Sequence, residues 1–158
     1  MSDITGGYLC GSIRFEAAAS PNVTALCYCT DCQHVSGSQF YAAYLVDLDT
    51  GIRLIKGTPA THRVPCDSGR HKDHKFCPEC GSRLWAEVPE LNMASVNGFA
   101  FDDKTHYQPQ FNHLTASAPT WCVIDDSLEE APPVVDSMEE IPSRSSLAQP
   151  CRDSRDGL

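Results

Sequence analysis

Polar and apolar residues alternate over short runs along much of the chain. In residues 13–16 the apolar Ile13 and Phe15 alternate with charged residues, which predicts a half-buried strand. Residues 40–46 are almost wholly apolar and predict a buried central strand. Further strands are predicted at residues 23–29, 52–56, 61–64, 83–88 and 93–96, with weaker extended character at 106–114. Short strands, frequent turns and almost no helical periodicity predict an all-β fold, a small irregular domain of several sheets.

The remaining segments predict turns, loops and a tail. Residues 31–36 predict one helical turn that ends at Gly37, and residues 66–75 predict a charged loop in which His71 and His74 are solvated. An apolar run at 121–124 includes Trp121, which we expect to anchor packing. From residue 131 the chain has four prolines, five acidic residues and no aromatic residue. We therefore predict a β domain at residues 1–130 and a poorly structured, extended tail at residues 131–158.

Composition restricts the partners and the location that we expect for the protein. The chain has 158 residues and a net charge of −9 that is spread along its length, which argues against nucleic acid and against an anionic membrane surface as partners. The sequence shows neither a signal-peptide pattern nor an apolar stretch of membrane-spanning length, so we expect a cytoplasmic protein. Nine cysteines in that setting favour metal binding over disulfides. Exposed sheet edges could also pair two copies as a homodimer.

Three cysteines lie close together in residues 25–32, which read A-L-C-Y-C-T-D-C. Cys27 and Cys29 are two apart in an extended segment and share a face, and the turn after Cys29 can bring Cys32 back to the same point. Three converging thiolates suit a soft metal such as zinc, which neutralises their mutual repulsion. Three protein ligands leave one tetrahedral position for a reactant, as in catalytic zinc sites.

A second cysteine pair has the form of a zinc knuckle. Residues 76–81 read F-C-P-E-C-G, in which Cys77 and Cys80 make half of a metal site. Cys10, which is followed by glycine in the same way, is a candidate for the other half. A structural zinc site normally has four ligands, and the natural fourth position, two residues before Cys10, is Tyr8.

Taken together, these motifs resemble the glutathione-dependent formaldehyde-activating enzyme family, which also includes centromere protein V. The resemblance rests on G-Y-L-C-G-S-I-R-F at residues 7–15, the C-x-C-x-x-C at 27–32 with Ser36-Gly37-Ser38 behind it, residues 76–81, and residues 119–126 with Trp121. It implies a β-rich domain with two zinc sites, one structural and one catalytic.

Carried onto this chain, the resemblance implies a catalytic zinc on Cys27, Cys29 and Cys32. It implies a structural zinc whose ligands here are the residues Cys10, Cys77 and Cys80, with Tyr8 in the remaining ligand position. That site could be lost, could bind zinc through three cysteines and a water, or could recruit another residue, the candidates being Cys66, His74 and Cys122. Family members often carry a histidine shortly before the late tryptophan; this chain has Asn112 there, and we assign no role to the neighbouring His113.

The chemistry that the resemblance implies fits an electron-rich zinc. Such a zinc can bind a thiol as thiolate, and a thiolate adds to a small carbonyl. We therefore expect a carbon–sulfur lyase that forms or breaks an adduct of glutathione, or a related thiol, with formaldehyde or another small carbonyl. Proton transfer could fall to His34, Ser36 or Ser38.

Two other functions remain open for this sequence. A fourth protein ligand on the Cys27, Cys29 and Cys32 zinc would make the chain a non-enzymatic zinc module that binds another protein. The same metal could also hydrolyse a different small adduct. Apart from any recruitment, Cys66 and Cys122 are expected to be ordinary thiols, and Cys151 to be incidental to the domain.

Overall fold

The computed structural model describes residues 3–66 and 69–131. Within them lie eleven strands and one α-helix, α1, at Thr30–Ser36. The strands are β1 Ile4–Gly7, β2 Arg14–Ala17, β3 Val23–Cys27, β4 Tyr41–Asp47, β5 Ile52–Lys56, β6 Ala60–Pro65, β7 His71–Phe76, β8 Arg83–Val88, β9 Met93–Asn97, β10 Phe111–His113 and β11 Glu129–Glu130. Short 3-10 helices lie at Pro89–Leu91, Gly98–Ala100, Lys104–His106 and Thr115–Ser117. The predicted all-β fold is confirmed.

The strands form two sheets. One has three antiparallel strands in the order β1-β2-β5, and the other has eight strands in the order β11-β10-β3-β4-β9-β8-β7-β6. The eight-stranded sheet is antiparallel except that β10 runs parallel to both β3 and β11. In the parallel pair formed by β10 and β3, His113 of β10 lies opposite Cys27 of β3.

The main core lies between the two sheets and contains side chains from both. Phe15 of β2 and Tyr44 of β4 are fully buried, and the Tyr44 ring meets that of Phe101 edge to face with centroids 4.8 Å apart. Burying one such aromatic side chain contributes roughly 1.5–3 kcal/mol. The strand predicted at residues 40–46 is the central β4, whose residues 41–46 are all buried. A smaller core on the other side of the eight-stranded sheet contains Leu45 and Phe111.

Three strands, β1, β7 and β11, are absent from the sequence prediction. Residues 71–76 form β7 rather than part of a charged loop, so the loop prediction is wrong for this segment. His71 is exposed, as predicted, whereas His74 is not fully solvated. Buried Asp73 accepts two hydrogen bonds from Arg63 of the neighbouring β6, at 2.7 and 2.8 Å. Cross-strand ion pairing therefore replaces the apolar alternation by which strands are recognised. His74 is half-buried beside it on β7.

The segment after β10 also differs from the prediction. Trp121 is 73% exposed and anchors no packing, so its predicted role is wrong. The chain then returns to the sheet at β11, and Ala131 is buried in the smaller core with its amide bonded to the carbonyl of Asn112 at 2.7 Å. The tail predicted at residues 131–158, with Cys151, lies outside the described residues beyond Ala131. Within the described ranges, the structure contains no helix whose length and apolar content would let it cross a membrane.

Candidate metal centres

Cys27, Cys29 and Cys32 (the Cys27 group) meet where β3 leads into α1. Cys27 is the last residue of β3, and Cys29 is the N-cap of α1 with extended dihedral angles. The Cys29 Sγ accepts a hydrogen bond from the backbone N–H of Cys32 at 3.3 Å, which turns Cys32 back toward the other two sulfurs. The helix ends as the sequence predicts, at Gly37 in the left-handed conformation. The three Sγ atoms all lie within 4.8 Å of one another.

The Cys27 group is buried and electrostatically strained in a way that favours a cation. Side-chain hydrogen bonds from Cys27 and Cys32 lower the pKa of Cys29 to about 2, while hydrogen bonds with Cys29 and Cys32 raise the pKa of Cys27. Three sulfurs this close therefore do not all ionise unless a positive charge joins them. Zinc–sulfur bonds of about 2.3 Å in a tetrahedron set sulfurs roughly 3.8 Å apart. The donor set fits a zinc ion.

The surroundings of the Cys27 group are apolar and aromatic. Tyr41 and Ala43 of β4 pack in the same buried cluster, with Leu114 against it. The Tyr41 hydroxyl donates to the carbonyl of Ser95 at 3.1 Å, and burial raises the pKa of Tyr41, so this phenol keeps its proton. In the part of the chain that the structure describes, the group has three members and no fourth cysteine, histidine or carboxylate.

His34 and Ser36, the nearest candidates for proton transfer, occupy different places on α1. His34 is exposed, and residues two apart on a helix are separated by about 200° around its axis, so it projects away from Cys32. Ser36 donates its hydroxyl to the carbonyl of Cys32 at 2.7 Å and accepts from the amide of Ser38 at 3.2 Å. The proton-transfer role of His34 stays a prediction.

Cys10, Cys77 and Cys80 (the Cys77 group) join residues that are far apart in sequence. Their Sγ atoms also lie within 4.8 Å of one another, and those of Cys10 and Cys77 are 3.5 Å apart. Cys10 stands in a turn closed by the Gly11 amide on the Tyr8 carbonyl at 2.8 Å, while the Gly81 amide bonds the Cys77 carbonyl at 2.9 Å. Both glycines have positive φ, 69° and 72°, which these tight turns require.

The Cys77 group is more open to solvent than the Cys27 group. Cys77 is buried, Cys80 is half-buried and Cys10 is exposed. The hydrogen bond between Cys80 Sγ and Ser82 Oγ, at 3.3 Å, lowers the pKa of Cys80 to about 6. A sulfur that ionises this readily is a competent zinc ligand.

Tyr8 is not positioned as the fourth ligand of the Cys77 group. Its hydroxyl donates to the carbonyl of Leu84 at 2.5 Å, and burial raises its pKa well above the usual value for tyrosine. The proton needed for that bond is the one a metal-bound phenolate would have to lose. Among the described residues, the group includes none of the three predicted recruits, which are Cys66, His74 and Cys122. Cys66 is disulfide-bonded, so the expectation that it is an ordinary thiol is wrong.

A groove of about 510 Å³ is lined by residues that lie near both groups in the sequence, although no cysteine of either group lines it. Val35 and Ser36, which follow Cys32 on α1, form part of its wall, and Leu9 and Ser82, which neighbour Cys10 and Cys80, form another. The remaining lining residues are Gly7, Tyr8, Tyr41, Arg83, Asn97, Phe99, Ala100 and Lys104.

No motif in the sequence marks Arg83 or Lys104, both of which line the groove. The pattern of residues 83–88 predicts a strand but does not show what stands opposite Arg83. In the structure, the Arg83 guanidinium carbon lies 4.5 Å from the centre of the Tyr41 ring.

Asn112 and His113 lie in the strand beside the Cys27 group. The Asn112 side-chain amide donates to the carbonyls of Asp125 and Leu128, at 2.8 and 3.3 Å, so it holds the last segment against the sheet. His113 is buried. His113 pairs with Cys27 across two parallel strands, and its distance in sequence from the late tryptophan does not predict that pairing.

Comparison with known proteins agrees with this arrangement. A Rhodobacter sphaeroides protein of known crystal structure, a structural genomics target, matches with a TM-score of 0.50 at 17% identity, over 63% of this chain and 88% of its own. At that identity the likeness concerns the fold alone. No curated protein matches the chain. The model of one family, described as glutathione-dependent formaldehyde-activating enzyme, matches residues 3–117. This chain belongs to the glutathione-dependent formaldehyde-activating enzyme family.

Proposed function

We propose that this protein is a zinc-dependent enzyme of the carbon–sulfur lyase type that forms or breaks an adduct between a thiol and a small aldehyde. Glutathione and formaldehyde, or close relatives of each, are the proposed reactants. The observation that carries the proposal is the Cys27 group: three buried sulfurs within 4.8 Å of one another, with no cysteine, histidine or carboxylate among the described residues joining them at that distance. Family membership supports the choice of substrates.

The reaction needs no oxidant or reductant. In the forward direction a bond forms between the thiol sulfur and the carbonyl carbon. The carbonyl π pair moves to oxygen, which takes up a proton equivalent to the one that the thiol gave up. A zinc ion on the Cys27 group would supply the positive charge that holds the thiol as its nucleophilic thiolate. The reverse reaction breaks the same carbon–sulfur bond.

The residues of this chain hold and shield the site. Cys27, Cys29 and Cys32 supply three thiolates, and the N-cap bond of Cys29 fixes their spacing. Tyr41 and Leu114 limit access of water to the sulfurs. We propose His34 as the proton carrier, with the hydroxyls of Ser36 and Ser38 as alternatives.

A second zinc is proposed on the Cys77 group, bound through three cysteines. It would join the turn after β1 to the segment between β7 and β8, where Cys77 and Cys80 lie. We also propose that the protein acts in the cytoplasm, and that a homodimer is the form to look for first.

The non-enzymatic protein-binding module remains the second candidate because of exposed apolar side chains. Trp121 is 73% and Val123 86% exposed, two residues apart. Exposed apolar groups of this size are common where another protein binds.

The test measures exchange between free thiol and adduct at equilibrium. Glutathione and formaldehyde are mixed with zinc-loaded protein, and the exchange rate is followed by nuclear magnetic resonance with and without enzyme. We expect the wild type to raise the rate, Cys29→Ser to return it to the uncatalysed value, and Cys122→Ser to behave as wild type. Cys122 is the matched control because it belongs to neither sulfur group.

Zinc content separates the alternatives. A wild type that holds zinc on the Cys27 group but leaves the exchange rate unchanged would contradict the lyase proposal and favour the binding module. If the same protein hydrolysed preformed adducts of other small molecules, hydrolysis would be favoured instead.

A further inference from the structure

The groove beside the two sulfur groups has an unusual charge for this protein. The chain as a whole has a net charge of −9, yet the residues that line the groove include Arg83 and Lys104 and no aspartate or glutamate. A concave surface with only positive charges concentrates small anions.

Arg83 has hydrogen-bond donors that no group of the described protein satisfies. Its Nε and Nη1 atoms are buried and have no hydrogen-bond partner. Leaving the donors of a charged group unpaired in this way is costly, and a ligand that pairs them recovers that cost. The side chain is also held in place, since its guanidinium lies 4.5 Å from the Tyr41 ring centre. A guanidinium that is held in place with donors still unpaired suits an anionic oxygen, such as one of a carboxylate.

The other lining residues complete a site for a small polar molecule. Lys104 donates a long hydrogen bond from its Nζ to the carbonyl of Phe101, at 3.5 Å, and so can turn toward a second anionic group. Phe99, 53% exposed, offers an apolar surface for a short aliphatic chain.

The place of the groove connects it with the proposed chemistry. Tyr41, over which Arg83 lies, packs in the same cluster as Cys27, Cys29 and Cys32. A small molecule whose carboxylate meets Arg83 therefore lies beside the cluster that contains the three sulfurs.

We infer that this groove is the carboxylate-binding site of the thiol substrate, with Arg83 as the residue that binds the carboxylate and Lys104 as a second positive charge. The inference rests on the proposed function and narrows it: the thiol is one that carries a free carboxylate, and neutral thiols are poor substrates.

Binding is tested without turnover, using S-methylglutathione and its dimethyl ester as probes. The thioether is a weak metal ligand, so affinity measured by titration calorimetry reports the groove. We expect the wild type to bind the acid at least ten-fold more tightly than the ester. Arg83→Met should weaken binding of the acid roughly ten- to hundred-fold, the loss that follows removal of a charged hydrogen bond, and should leave the ester unaffected. Arg83→Lys should fall between them.

Controls separate a local effect from a general loss of charge or of folding. Arg53→Met is the matched variant, because Arg53 pairs with Glu16 on β5 and β2 and does not line the groove; it should bind as wild type does. Thermal melting and zinc content establish that each Arg83 variant is folded. If the variants fail to fold, the comparison of acid and ester in wild type still decides. Equal affinity for the two probes in wild type, or full affinity in folded Arg83→Met, would overturn the inference.

The exchange assay distinguishes this inference from the proposed function. With glutathione and with 2-mercaptoethanol as thiols, we expect Arg83→Met to raise the KM for the first and not for the second. If Arg83→Met changed the KM equally for the two thiols while the wild type catalysed the exchange, the carboxylate site would be overturned and the lyase proposal would stand. If S-methylglutathione bound in an Arg83-dependent way but the protein did not catalyse the exchange, the lyase proposal would be overturned and the carboxylate site would stand.

Discussion

Replacing Cys29 by serine and by alanine separates the two roles that this residue has in the structure. Its Sγ belongs to the Cys27 group, and the same atom caps α1 by accepting the Cys32 amide at 3.3 Å. Serine is among the best N-cap residues, whereas alanine cannot cap. Cys29→Ser therefore removes the thiolate and keeps the cap, while Cys29→Ala removes both.

The two losses differ in size. A four-ligand structural zinc site contributes roughly 10–16 kcal/mol, so one ligand accounts for about 3 kcal/mol, or about two orders of magnitude in zinc affinity. Loss of an N-cap costs about 1 kcal/mol of stability. We expect both variants to lose about a hundred-fold in zinc affinity at this site. Without zinc, only Cys29→Ala should lose about 1 kcal/mol relative to wild type.

Two measurements check these expectations. Competition with a chromogenic chelator gives the zinc affinity, and urea denaturation in the presence of a strong chelator gives the stability of the metal-free protein. A Cys29→Ser protein with wild-type zinc affinity would refute the assignment of Cys29 as a ligand. Equal metal-free stability of Cys29→Ser and Cys29→Ala would refute the capping role.

Three other substitutions test further parts of the structure. Tyr8→Phe should keep its zinc and lose about 1–2 kcal/mol of folding stability, because the buried Leu84 carbonyl loses its hydrogen-bond donor. Tyr44→Phe is the control, since it removes a similar bond to the Ala18 carbonyl. If Tyr8→Phe alone lost zinc, Tyr8 would be a metal ligand. Cys77→Ser should lower the zinc content from two ions to one by elemental analysis, and two ions retained would exclude Cys77 as a ligand. Gly98→Ala should cost about 1–3 kcal/mol in urea denaturation, since a Cβ there would lie 2.2 Å from the Tyr107 ring; an unchanged midpoint would show that the ring can move aside.

The sequence predicts the strands whose two faces differ in polarity or that are apolar throughout. Alternation identifies β2 and β5, and a continuous apolar run identifies β4. The same criterion fails for β7, because a buried Asp73 paired with Arg63 takes the place of an apolar residue. An ion pair between neighbouring strands depends on register, and register is a property of the folded sheet.

The candidate site divides in a similar way. The Cys27 group lies within six residues, so local geometry and a helix stop at Gly37 are sufficient to predict that the sulfurs converge. Cys10 is 67 residues from Cys77, so local geometry does not join them; the shared Cys-Gly form made Cys10 a candidate, and the resemblance to a family supported the pairing. Arg83 escaped notice because its significance comes from the Tyr41 ring opposite, on a strand that is not its neighbour in the sheet.

The contacts of Tyr8 explain how the fold tolerates a tyrosine where the family pattern has a metal-binding cysteine. The Cys77 group joins the turn before β2 to the turn before β8, and Tyr8 joins the same two parts of the chain through its hydrogen bond to the Leu84 carbonyl. Its ring also packs on Phe15, with centroids 6.2 Å apart. The tyrosine ring, which a cysteine lacks, packs into the core, and the tyrosine hydroxyl is hydrogen-bonded directly to β8. A zinc bound by three cysteines, as proposed for the Cys77 group, would therefore act together with this aromatic contact to hold the two parts of the chain together.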